Sequence, residues 1–229
     1  MTKTLNFGSR TPQAILALDV ETLEDARRFV DLLYPAIKIF KVGIHLFTSY
    51  GPEVVKLIRK KGGEVFLDLK FFDIPHTVAN AVRSAVRLEA MMCTLHILGD
   101  EEMIKAAKDA AEDEAHRRRV KKPLLIGVTV LTSKEAQSSD VLTLAKIGIE
   151  CGLDGVVCSA REAGLLRKEI KKDFVIVTPG IRPAEGASHD QKRTATVQEA
   201  VAAGSNFLVI GRPILHAKDP LSIVKGLFS

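Results

Sequence analysis

The stretch VFLDLKFFDIPHTVANAV, residues 65–82, carries three charged side chains, Asp68, Lys70 and Asp73, in a run otherwise suited to a protein interior. Side chains alternate along a strand, so Glu64, Phe66, Asp68 and Lys70 share one face and Val65, Leu67 and Leu69 the other. Acids on both sides of a partly buried lysine favour its ammonium form. A fixed ammonium is a general acid, suited to a reaction in which negative charge develops on carbon and is then quenched by a proton. A Schiff-base lysine needs the opposite setting, apolar or cationic, to lower its pKa. The alternative is a charge network that only satisfies itself. Ion pairs away from water are costly relative to apolar residues of similar volume, which favours a functional site.

These residues need a scaffold that aims them at one point. Short β-rich runs fall at 14–19, 37–43, 64–70, 92–97, 123–130, 154–159, 174–179 and 206–211, eight in all. Between them lie segments of helical period such as TLEDARRFVDLLY, TVANAVRSAVRLEA, DEEMIKAAKDAAEDEA, REAGLLRKEIKK and TVQEAVAAG. Strand alternating with helix predicts a parallel sheet, and eight units in 229 residues predict a (β/α)8 TIM barrel. An open dinucleotide-binding sheet would carry GxGxxG after its first strand, where this chain reads DVETLED. The expected organisation is a single domain over 1–229, with residues 1–13 as an N-terminal extension.

In such a barrel the chemistry gathers at the carboxyl ends of the strands. Asp19 ends strand one, Lys41 ends strand two on the face of Ile37 and Ile39, and Asp68 and Lys70 end strand three. Thr132 follows strand five, Gly180 and Arg182 follow strand seven, and Gly211 and Arg212 follow strand eight. Barrels often hold a phosphate in their last two loops. TPGIRP at 178–183 and IGRPIL at 210–215 each offer there a glycine for close backbone approach and an arginine with a planar donor fork.

Composition narrows the partners. A net charge of +5 invites a nucleic acid, but the excess is local, in HRRRVKK at 116–122 and RKEIKKD at 167–173, which read as solvated helix ends. With no Trp and two Tyr, a base-stacking surface is not expected, whereas a phosphorylated small molecule suits the same balance. No apolar run approaches the roughly 20 residues of a bilayer span and no signal-peptide pattern opens the chain, so a cytoplasmic protein is expected. Cys93, Cys151 and Cys158 show no ligand spacing and read as reduced and structural. The histidines form no ligand set either, so no metal is expected.

With these residues in view, nearly the whole chain resembles the orotidine 5'-phosphate decarboxylase family in its bacterial single-domain form. The pattern DxKxxD is met by Asp68, Lys70 and Asp73 and continues as DIPHTVAN; ALDV, FKVG, VTVLTS, PGIRP, DQKR and AAGSNFLVIGRPI follow the family's order. The resemblance implies cofactor-free decarboxylation of orotidine 5'-monophosphate to UMP, with Lys70 as proton donor to C6 and Asp68 beside the departing carboxylate. It further implies that Asp19 and Lys41 hold ribose hydroxyls, that Thr132 faces the base, and that Arg182, Gln191, Gly211 and Arg212 grip the 5'-phosphate. Asp73 and Thr77 would complete the partner's site in a homodimer. A related decarboxylase of 3-keto-gulonate 6-phosphate shares DxKxxD but uses magnesium on an acid near the end of strand two, where Lys41 stands here.

Overall fold

The computed structural model describes residues 12–130, 137–182 and 194–228. Eight parallel strands close into a barrel: β1 (Gln13–Ala17), β2 (Ile39–Gly43), β3 (Glu64–Phe71), β4 (Met92–His96), β5 (Leu124–Val128), β6 (Gly155–Val157), β7 (Val175–Thr178) and, after a short ladder of β8 (Ile181–Arg182) with β9 (Ala195–Thr196), β10 (Phe207–Ile210). The order around the barrel is β1-β10-β7-β6-β5-β4-β3-β2. Every predicted strand is present. β1 starts one residue ahead of its predicted bound, at Gln13.

Helices fill the crossovers: α1 (Leu23–Leu33), α2 (Ile44–Tyr50), α3 (Pro52–Lys61), α4 (Pro75–Arg87), α5 (Asp100–Arg118), α6 (Ser138–Glu150), α7 (Ala160–Glu169) and α8 (Val197–Ala202), with α9 (Arg212–Leu215) and α10 (Pro220–Lys225) after the last strand. Local chemistry sets their ends. Thr22 caps α1 by accepting from the Asp25 N–H at 3.0 Å, and Ser159 with Glu162, like Thr196 with Glu199, forms a reciprocal capping box. Pro75, whose missing N–H costs nothing in a first turn, starts α4 just after the Asp73 loop. The α4 residues Val78, Ala79, Val82, Ala85 and Val86 are buried at helical spacing.

The alternation within strands sorts side chains into two cores. Ile15, Ala17, Ile39, Phe66, Met92, Ile126, Val175, Val177, Phe207 and Val209 fill the barrel interior. Leu16, Phe40, Val42, Val65 and Leu67 face the helical shell. Glu64, Phe66, Asp68 and Lys70 therefore do share the inward face. Ile37 departs from expectation: it packs in the outer core, because β2 begins only at Ile39 and no strand alternation governs residue 37.

The basic tracts are not all solvated helix ends. Lys122 reaches Asp154 at 2.8 and 3.1 Å, and Asp154 also accepts from the Leu125 N–H at 2.8 Å. Arg167 donates to the carbonyls of Gly204 and Phe174 and to Asn206 Oδ1, its guanidinium stacked on the Phe174 ring. Arg87 and Arg117 both bind the buried Glu114, and those hydrogen bonds pull its carboxyl down to about 2. These four cations thus tie strand starts and helices together. None of the described helices is long and apolar enough to cross a membrane, and the three cysteines are buried and free.

Gly155 shares the inward face of β6 with Val157, and a Cβ there would run into the carbonyl oxygen and side chain of Val175. Gly155→Ala is expected to destabilise the fold by about 1–3 kcal/mol through overpacking. Urea unfolding checks this, and a midpoint equal to that of the wild type would show that β6 and β7 can part without cost.

Candidate active site

At the carboxyl ends of the strands, four side chains form an alternating row. Lys41 Nζ stands 3.5 Å from Asp19 Oδ1 and 3.4 Å from Asp68 Oδ2, and Lys70 Nζ stands 2.8 Å from the same Asp68 oxygen. The β2–β3 pairing that sets Gly43 beside Asp68 brings Lys41, two residues back on β2, within reach of the carboxylate. Asp19 is well exposed, whereas the Lys41 and Asp68 side chains are each only 13% exposed. Burial alone would push the Asp68 carboxyl up; the charges of Lys41 and Lys70, with hydrogen bonds from Lys70 and Thr94, outweigh it and hold the group below its ordinary value of 3.8.

Lys70 occupies an unusual place in its strand. β3 and β4 pair at Leu67–Cys93 and again at Phe71–Leu95, so β3 spends four steps where β4 spends two. Within that bulge Lys70 has φ of 51°, a left-handed conformation that costs a residue with a Cβ about 1–2 kcal/mol. Its N–H donates to Thr94 Oγ1 at 2.9 Å, and the Thr94 hydroxyl donates to Asp68 Oδ1 at 3.0 Å. Two residues on, the His96 ring lies 5.4 Å from that of Phe72. Burial lowers the His96 pKa, and the Lys70 charge adds to this against a smaller opposing pull from Asp68. Sequence reasoning passed over Thr94 and His96, although alternation along MCTLHI puts both on the face of the interior Met92.

One cavity collects most of the expected site residues. Asp19, Lys41, Asp68 and Lys70 line it together with Gly180, Arg182, Gly211 and Arg212, and a Cβ on Gly211 would lie 3.5 Å from Asp19 Oδ2. Val128, Val157, Val177, Pro179 and Val209 add apolar lining. Gly180 has φ of 77°, a turn that glycine adopts without strain, and among the described residues the buried Arg182 Nε has no hydrogen-bond partner. Asp73 and Thr77 are not brought into this cavity. Both are exposed, and Asp73 Oδ1 accepts from the Ile74 N–H at 2.7 Å. Thr132 and Gln191 lie outside the described residues. Among the described residues no cluster of His, Cys, Asp or Glu suits a metal ion.

The family model described as orotidine 5'-phosphate decarboxylase / HUMPS family matches residues 12–227. The chain belongs to this family. The orotidine 5'-phosphate decarboxylase of Vibrio campbellii is 46% identical over 226 residues, spanning 94% of this chain and 95% of that one. That of Hydrogenovibrio crunogenus is 46% identical over 227 residues, covering 94% of each. The crystal structure of orotidine 5'-phosphate decarboxylase from Lactobacillus acidophilus superposes with a TM-score of 0.83 at 35% identity, over 95% of this chain and 98% of that one. The charged row on β1 to β3 and the Gly–Arg loops after β7 and β10 line one cavity of this barrel.

Because the folded Asp68 pKa is depressed, its contribution to stability is fully present above 3.8 and is lost as pH falls through the lower folded value. The gap in unfolding free energy between wild type and Asp68→Asn should stay constant from about pH 7 to about pH 5 and narrow below about pH 4. Denaturant titrations across that range check it, and a gap that already closes between about pH 7 and about pH 5 would show that Asp68 titrates high.

Proposed function

We propose that this protein decarboxylates orotidine 5'-monophosphate to UMP and CO2, the last step of de novo UMP synthesis, without a cofactor, and that Lys70 delivers the proton. The observation that carries the reading is the 2.8 Å contact of Lys70 Nζ with an Asp68 carboxylate that also faces Lys41. The family match and relatives of 46% identity bearing the decarboxylase name support the substrate. The bond from C6 to the carboxyl carbon breaks with its electron pair left on C6, and CO2 departs. No conjugated sink takes that pair, so the nearby ammonium stabilises it and then supplies the proton. The lysine regains its proton from solvent. Asp68, ionised beside the substrate carboxylate, disfavours the charged ground state by repulsion.

The phosphate end follows from charge and backbone. Arg182 and Arg212, with Gly180 and Gly211, line the same cavity as the charged row and supply it with donors suited to a phosphate. Gln191 joins them in this reading, Thr132 faces the base, and Asp19 and Lys41 take the ribose hydroxyls. Phosphate contacts remote from C6 supply binding energy that organises the reacting end.

The same reading makes the protein a cytoplasmic homodimer of one barrel domain per chain, residues 1–13 being an extension, with Asp73 and Thr77 entering the partner's cavity. Beside these two exposed polar residues, Phe72, Ile74 and Leu98 are 61%, 66% and 60% exposed, an apolar surface that a second copy would cover. The magnesium-dependent sugar-phosphate reaction is disfavoured, because Lys41 stands in place of the acidic ligand that the related family carries near the end of strand two, and its ammonium would repel the ion.

Purified protein given orotidine 5'-monophosphate in EDTA is expected to release CO2 and form UMP, and folded protein that forms none would remove the assignment. Lys70→Ala should lower kcat about a thousandfold or more while remaining folded. Mixing inactive Lys70→Ala with inactive Asp73→Ala should restore part of the activity, since a mixed dimer assembles one intact site. No recovery after subunit exchange would place Asp73 in its own chain's site or outside catalysis.

A further inference from the structure

Thr94 lies outside the cavity lining, fully buried on β4, yet its hydroxyl touches both members of the central pair. A hydroxyl has one proton to give and lone pairs to receive. Here the proton goes to Asp68 Oδ1 at 3.0 Å, and a lone pair takes the Lys70 N–H at 2.9 Å. The second bond repairs the ladder: inside the β3 bulge the β4 backbone is out of register, and the Thr94 side chain supplies an acceptor there. The first bond orients the carboxylate. With Oδ1 engaged by Thr94, Oδ2 is the oxygen that meets Lys70 at 2.8 Å and Lys41 at 3.4 Å.

We infer that Thr94 is a positioning residue for the decarboxylation: one buried hydroxyl holds the left-handed backbone of Lys70 and the rotation of the Asp68 carboxylate at once. The inference rests on the decarboxylase reading given above. A purely packing role for Thr94 would be served by its methyl group and Cβ, which Val reproduces. A positioning role needs the oxygen, which Ser retains. Because Thr94 does not line the cavity, its removal should spare the grip on phosphate and ribose while displacing the ammonium from C6, and small misplacements of a reacting group cost large factors in rate.

The experiment is steady-state kinetics on wild type, Thr94→Val, Thr94→Ala and Thr94→Ser, with UMP affinity and thermal midpoints measured on the same samples. Thr94→Val is expected to lose about 10- to 100-fold in kcat, with KM and UMP affinity within about threefold of wild type, and Thr94→Ser to recover to within about fivefold of the wild-type kcat. If Thr94→Val does not fold, Thr94→Ala, which introduces no new atoms, carries the same expectation. A kcat within about threefold of wild type in the folded variant lacking the hydroxyl overturns the inference. So does equal loss in Ser and Val, or a loss confined to KM. A wild type without turnover removes the decarboxylase reading itself, whereas an active wild type beside an unimpaired Val or Ala variant removes only the role given to Thr94.

Discussion

A carboxylate shared by two ammonium groups is the interaction on which this molecule turns. Asp68 Oδ2 receives Lys70 at 2.8 Å and Lys41 at 3.4 Å in a place where the carboxylate is mostly withdrawn from water. Neither lysine alone would compensate that burial as well, and without the carboxylate the two positive charges would repel each other across the barrel mouth. The arrangement has to be made by neighbouring strands, because only the β2–β3 pairing holds Lys41 and Asp68 at that separation. Closing the barrel then pairs β10 with β1 and brings the Gly–Arg loops after β7 and β10 into the same cavity.

Holding Lys70 there requires the strand to stop behaving as a strand. The bulge between Leu67 and Phe71 turns its backbone left-handed, and a residue with a Cβ keeps such a conformation only when its surroundings over-determine it. Those surroundings are the Thr94 hydroxyl below and the Asp68 carboxylate beside it. Strain, hydrogen bond and ion pair are arranged so that releasing one loosens the others.

Much of this was legible in the order of the residues. Period-two alternation in EVFLDLK placed Asp68 and Lys70 inward and Val65 and Leu67 outward, because a strand with one face on the barrel axis and one on helices leaves little freedom. The bulge was not legible, since a local change of register and a positive φ at lysine leave no mark in hydrophobic period. Thr94 and His96 escaped because attention to charge passes over a hydroxyl and an isolated imidazole. Ile37 and the basic tracts misled for a related reason: pattern says which residues could share a face, while strand bounds and distant partners such as Asp154 and Asn206 decide which do.

The staples formed by Lys122 with Asp154 and by Arg167 with Asn206 sit where strands begin, and the charged row sits where they end. Cross-links that take no part in the chemistry are thereby lodged at the pole of the cylinder away from the reactive row. Substitutions at the amino-end pole can therefore change tolerance of heat or salt without touching the reactive row. The corollary is an asymmetry in how such a protein can adapt: its robustness is open to gradual change, and its chemistry is not.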